Sequence, residues 1–126
     1  MSDMMKRIGV LLKQQPELVD IAVKPYYRPE SLDANEPSIT IIPMAPPKQV
    51  SFGSDRALQK EFTYQINSEA SSKSKATEIA LAVERVLNEL GFVQLNSGLD
   101  EYFIETNRYV DVRRYRGRSS LYDIDY

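Results

Sequence analysis

The stretch "LQKEFTYQINSEASSKSKATEIALAVERVLNELGF" constrains this chain more than any other, because its hydrophobic period changes once and abruptly. Up to Ala70 the period is two. Phe62, Tyr64 and Ile66 point one way and Glu61, Thr63 and Gln65 the other, as in a half-buried strand. From Ala76 the period is helical. Ala76, Ile79, Ala80, Val83, Val86, Leu87 and Leu90 form one stripe, with Glu78, Glu84, Arg85, Asn88 and Glu89 opposite. Ser71, Ser72 and Ser74 offer N-caps, and Gly91 stands where a left-handed C-cap is wanted. A long strand feeding a well-capped amphipathic helix requires a sheet for that helix to lie on.

The remaining segments supply such a sheet. Met5, Ile8, Leu11 and Leu12 predict an N-terminal helix, capped by Ser2 or Asp3 and stopped by Pro16. "LVDIAVK" alternates, with Val19, Ile21 and Val23 on one face, and "SITIIPM" is a short buried strand ended by Pro43. "PYYRPESLDANEP" and "APPKQVSFGSDRA" read as long loops on their Pro, Gly and Ser content. "FVQLN" and "RYVDVRRYRG" predict a hairpin around a turn-rich excursion, "SGLDEYFIETN". The order α-β-β-β-α-β-β predicts an α+β fold: an antiparallel-rich sheet of about five strands with two helices on one face. A length of 126 residues fits a single domain over 1–126, with 118–126 as an extended tail.

Chemistry is narrowed by what is missing. The chain has no histidine and no cysteine, which removes the commonest general base, the commonest metal ligands and any disulfide. Asp100, Glu101 and Glu105 lack the spacing of a calcium loop and read as a solvated turn. Ser72 and Lys75 have the Ser-x-x-Lys spacing of some acyl-transfer enzymes, but nothing else of that arrangement is present. The five glycines are isolated, so no phosphate loop exists. The expectation is a protein that is not an enzyme, with no catalytic residue, no metal and no cofactor. No apolar run reaches membrane-span length, and the first residues lack a secretory pattern, so no membrane partner and a cytoplasmic site of assembly are expected.

One segment stands apart. "RYVDVRRYRGR" places five arginines in eleven residues of a chain whose net charge is −2. Strand alternation puts Tyr109, Asp111, Arg113 and Tyr115 on one side and Val110, Val112, Arg114 and Arg116 on the other. Val110 and Val112 are expected to face the helices, leaving the tyrosine side wet or against a partner. Three readings compete: a charged edge that deters strand pairing, a nucleic-acid module centred on Arg113, Arg114, Arg116 and Arg118, or a subunit interface. An interface fits the charge asymmetry best, with Asp123 and Asp125 as candidate partners in cis or in trans. On that reading, reversing the charge of Arg113 and Arg116 weakens self-association and leaves the fold intact.

Taken together, Tyr64 and Ile66, Ser71 to Ser74, Gly91 and Phe92, and Arg113 to Gly117 resemble the pattern of tail terminator and tail completion (head–tail joining) proteins of long-tailed bacteriophages and prophages. The N-terminal helix and the proline-framed "EPSITIIPM" also fit, so the resemblance runs from about Met5 to Gly117. It implies a structural virion protein, assembled in the host cytoplasm. Such a protein forms a ring, usually hexameric, that caps the head-proximal end of the tail tube and joins it to the capsid connector. The implied partners are other copies of itself, the tail tube protein and the head–tail connector protein, with DNA met only in passing through the lumen. Arg108, Arg113, Arg114, Tyr115, Arg116 and Arg118 would lie at a subunit interface or line the lumen. Pro46, Pro47, Lys48, Gln49, Val50, Ser51, Phe52 and Gly53 would form an assembly loop. Alternatives are another connector component (a stopper, an adaptor or a minor capsid protein) or a small nucleic-acid-binding module. "SSLYDIDY" at the C-terminus matches no feature of the family.

Overall fold

The computed structural model describes residues 3–26, 36–44, 48–53, 56–95, 99–103 and 108–120. Helix α1 (Asp3–Lys13) is followed by strands β1 (Ala22–Pro25), β2 (Ser38–Pro43), β3 (Lys48–Gly53) and β4 (Arg56–Ala70). Helix α2 (Lys73–Glu89) comes next, then β5 (Val93–Gln94), β6 (Leu99–Phe103) and β7 (Arg108–Ser120). The α+β architecture is as expected. The main path through the sheet is β1-β2-β4-β7-β5, and only the β1–β2 pair is parallel. Both helices pack on the same face.

Two strands were not anticipated. The segment expected to be a loop from Ala45 to Ala57 contains β3, which pairs antiparallel with the first residues of β4, Arg56 to Glu61. Likewise β6, inside the expected turn-rich excursion, pairs with Arg108 to Val112 of β7. Pro, Gly and Ser crowd both ends of β3, and Ser97 and Gly98 precede β6, a composition that hid the short extended runs. At its other end β7 continues to Ser120, three residues into the expected tail.

The first helix is built as its spacing predicts, with Met4, Met5, Ile8 and Leu12 buried and Leu11 partly so. Beyond it the expected strand over Leu18–Lys24 starts late. Backbone bonds from Leu18 to Gln15 and from Ile21 to Leu18 hold a run of turns, which buries Leu18 and Ile21 and leaves Val19 exposed. Only Ala22 onward is strand.

Helix α2 is closed at both ends by its own sequence. Ser72 is the N-cap, its hydroxyl accepting from the Lys75 amide at 3.2 Å. At the other end Gly91 adopts φ +85°, its amide donates to Asn88 O at 3.0 Å, and the Phe92 amide donates to Leu87 O at 2.9 Å. That pair of bonds is a Schellman cap, open to glycine because a Cβ is disfavoured at positive φ. It aims Phe92 back into the core, where the ring lies beside Tyr64 at 6.0 Å between centroids.

Candidate functional site: the arginine strand

The two faces of β7 are fixed by its register with β4. Tyr115 lies opposite Tyr64, Arg113 opposite Ile66 and Gly117 opposite Phe62. Since Phe62, Tyr64 and Ile66 belong to the core beneath the helices, so do their partners. This reverses the expected assignment: the side with Tyr109, Asp111, Arg113 and Tyr115 faces the helices, and Val110 and Val112 face away. The valine pair misled because Tyr115 and Gly117, not the valines, carry the contact with α2. Gly117 makes room for the Phe92 ring, and Tyr115 is fully buried.

Arg113 is therefore an internal residue. Its Nε donates to Asp111 Oδ1 at 2.8 Å and its Nη2 to Asp111 Oδ2 at 3.3 Å. Nη1 reaches Glu84 Oε2 on α2, also at 3.3 Å. Burial works to lower the Arg113 pKa, but the hydrogen bonds and charge of Asp111, with the charges of Tyr115 and Glu84, carry it above its ordinary value. One guanidinium thus ties the helix to the sheet. Beside it the Tyr115 hydroxyl lies close to Arg113 but has no partner at full hydrogen-bond geometry among the described residues. Burial pushes that phenol up to about 12, against the opposing pull of Arg113.

The opposite face carries Arg108, Arg114, Arg116 and Arg118, each spaced by an even number of residues. Three of them are matched across the β4–β7 pair. Arg108 Nε lies 3.4 Å from Glu69 Oε1, Arg114 Nε donates to Gln65 Oε1 at 3.1 Å, and Arg118 Nη2 lies 3.7 Å from Glu61 Oε2. Arg108 is buried, Arg118 is half exposed, and Arg116 is exposed with no ion pair recorded among the described residues. The polar alternation Glu61, Gln65, Glu69 on β4 was visible in the sequence. It could have identified these partners once β4 was known to lie antiparallel to β7.

The six residues singled out in the sequence therefore do not form one cluster. Arg113 and Tyr115 lie under α2, while Arg108, Arg114, Arg116 and Arg118 form a row on the helix-free face. Of the expected assembly loop, Lys48 to Gly53 form β3; their side chains, with Pro46 and Pro47, lie outside the described residues. The side chains of Asp100, Glu101 and Glu105 also lie outside them. Ser72 is engaged as the helix cap and Lys75 Nζ lies 3.7 Å from Glu78, so the Ser-x-x-Lys spacing belongs to a helix start.

No protein-family model matches the chain, nor does any curated protein. Among solved structures it is similar to a chain from the "Virion of native gene transfer agent (GTA) particle". The TM-score is 0.62 at 15% identity, over 90% of this chain and 91% of that one. At that identity the likeness is one of fold.

Proposed function

We propose that this chain is a structural protein of a phage-like virion. The observation that carries the reading is the shared fold, matched over nine-tenths of both chains, with a component of a gene transfer agent particle. A match over nine-tenths of both chains concerns a whole architecture and not a common motif alone. The resemblance of "FTYQINSEASSKSK", "LGF" and "RRYRG" to tail terminators sharpens the proposal. In the finer reading, copies of the chain close into a ring, hexameric by analogy, at the head-proximal end of a tail tube. The ring ends tube growth, meets the connector and lets DNA through its lumen. Its work is assembly and not catalysis.

The helix-free face suits a subunit boundary. Gln65 and Glu61 orient Arg114 and Arg118 on it, so part of its polar surface is set before association. Arg116 is the exposed cation of that row with no ion pair among the described residues. Arg113 is not, so the appropriate probe is Arg116→Glu alone, expected to weaken self-association without loss of secondary structure. Unchanged assembly of this variant refutes a role for the arginine row in the interface.

Two experiments test the function. Light scattering of the purified protein should give a mass near six times 14.4 kDa, alone or once mixed with tail tubes. Loss of the gene should give tails of uncontrolled length. Normal tails beside unjoined heads point instead to a connector component, and intact particles refute the virion role.

A further inference from the structure

A groove of about 730 Å³ opens between α1 and the sheet-edge strand β1. Its floor is apolar, with Met5, Val23 and Ile41; Lys6 and Lys13 stand beside it on α1, and Lys24 lines it from the edge strand. Among the described residues that line it there is no carboxylate. Lys13 is anchored by its Nζ donating to Ile21 O at 2.7 Å. Among the described residues β1 pairs with β2 alone, so its outer backbone edge is open to a further strand.

The chain carries a segment of matching chemistry. In "LYDIDY", Tyr122, Ile124 and Tyr126 alternate with Asp123 and Asp125. Laid along β1 as a strand, it sends Tyr122, Ile124 and Tyr126 one way and its two carboxylates, with Leu121, the other. Val23 and Pro25 turn toward the helices and Lys24 toward the opposite face, as their register with β2 and β4 requires. The apolar side of the segment then fills the groove beside Val23, and its carboxylates emerge beside Lys24. The arginine row fits it less well, since Glu61, Gln65 and Glu69 already engage three of those cations.

Geometry decides whose tail this is. Ser120, at the end of β7, lies opposite Gln59 of β4, whereas Pro25 is in register with Ile41 and so with Ile66. That offset is about 23 Å along the strands and about 14 Å across three strand spacings. Residues 121–126 span at most about 20 Å when fully extended. They cannot reach their own groove and also lie in it.

We infer that the groove between α1 and β1 receives residues Leu121–Tyr126 of a second copy of this chain. The contact is head-to-tail, and a contact of that kind closes into a ring when its rotation permits. The inference stands on the groove and the segment alone. It needs self-association but no virion, so it can fail while the virion reading survives, and the converse also holds.

Because the chain has no native cysteine, introduced thiols report the contact cleanly. Val10, exposed on α1 at the groove, and Ile124 are both replaced by cysteine in the full chain (Val10→Cys, Ile124→Cys). Mild oxidation is expected to give covalently linked multimers. They should form about tenfold faster than in an Arg116→Cys, Ile124→Cys control, because docking raises the local thiol concentration. Adding Lys24→Glu should suppress the link, and adding Asp123→Lys with Asp125→Lys should restore it, a rescue that a misfolded protein would not show. Absence of linkage overturns the inference and leaves the groove to a different protein. Linkage confined to single chains overturns it in favour of a contact in cis, and preferential linkage to position 116 overturns it in favour of the arginine face.

Discussion

Replacing Gly117 with alanine tests how the helix is seated on the sheet. An ideal Cβ at this position would lie 2.5, 2.6 and 2.7 Å from Cδ1, Cγ and Cδ2 of Phe92. Ordinary carbon–carbon contact is about 3.5–4 Å, so ring and strand must part by roughly 1 Å. The ring has little freedom to yield. It is 1% exposed, its amide is bonded to Leu87 O, the preceding Gly91 holds the left-handed turn, and the Tyr64 ring stands beside it. Overpacking of this kind costs about 2–3 kcal/mol. Alanine also restricts the unfolded chain, which offsets about 0.5 kcal/mol of that. The net loss of about 2 kcal/mol corresponds to a fall in Tm of about 5–10 °C for a domain of this length. Thermal unfolding followed by circular dichroism measures it. In Phe92→Leu the smaller side chain leaves room for the new methyl, so Gly117→Ala should cost markedly less in that background, a non-additivity expected of residues in contact. A Tm for Gly117→Ala equal to or above that of the unaltered protein refutes the reasoning, since strand propensity alone favours alanine over glycine.

Three further outcomes follow from the interior of the sheet. Tyr115, with its phenol raised to about 12, retains its proton in the folded state at a pH where an unfolded tyrosine has lost it. Its stabilising effect is therefore complete below about pH 10 and is lost as pH rises toward 12, and urea unfolding should show a loss of about 2–3 kcal/mol relative to Tyr115→Phe over that window. At neutral pH, Tyr115→Phe should leave stability within about 0.5 kcal/mol or raise it, because the buried hydroxyl has no partner at full hydrogen-bond geometry among the described residues. Asp111→Ala should cost about 2–3 kcal/mol by chemical denaturation, as it strands the Arg113 guanidinium, whereas Glu84→Ala, at a half-exposed contact, should cost under about 1 kcal/mol.

Much of the architecture was legible because local signals agreed with one another. In α2, the stripe, the Ser72 cap and Gly91 all specify the same helix, and the alternation of β4 specifies its buried face without reference to any other strand. The missing information was relational. Nothing within "RYVDVRRYRGR" says which of its sides lies under the helices, because each offers aromatic or aliphatic bulk together with arginine. The choice is made at a distance, by the pairing of Tyr64 with Tyr115 and by the fit of Phe92 over Gly117. Strands β3 and β6 were illegible for another reason. Each is stabilised by an edge of β4 or β7 and not by a pattern of its own, and tertiary pairing of that kind leaves little trace in five or six residues.

The partition of the arginines also bears on nucleic acid. Read from the sequence, Arg113, Arg114, Arg116 and Arg118 form one basic cluster, and four phosphate contacts would give a log–log salt slope of about −3.6 on duplex DNA. In the fold, Arg113 is committed to Asp111 and Glu84 beneath α2, and Arg114 is oriented by Gln65. Arg116 and Arg118 remain the outward cations of this group, and Glu61 lies within 3.7 Å of Arg118. The expected slope for a single chain is thus no steeper than about −1.8, too shallow for tight binding at physiological salt. Measuring retention of duplex DNA between 20 and 200 mM salt, as an order-of-magnitude range set by the screening length, decides the matter. A slope near −3.6 would mean that the Arg113 network opens to meet phosphate, and the internal role assigned to that guanidinium would fall with it. A shallow slope agrees with the proposed place in a channel wall, where DNA is attracted enough to enter and held too loosely to stop.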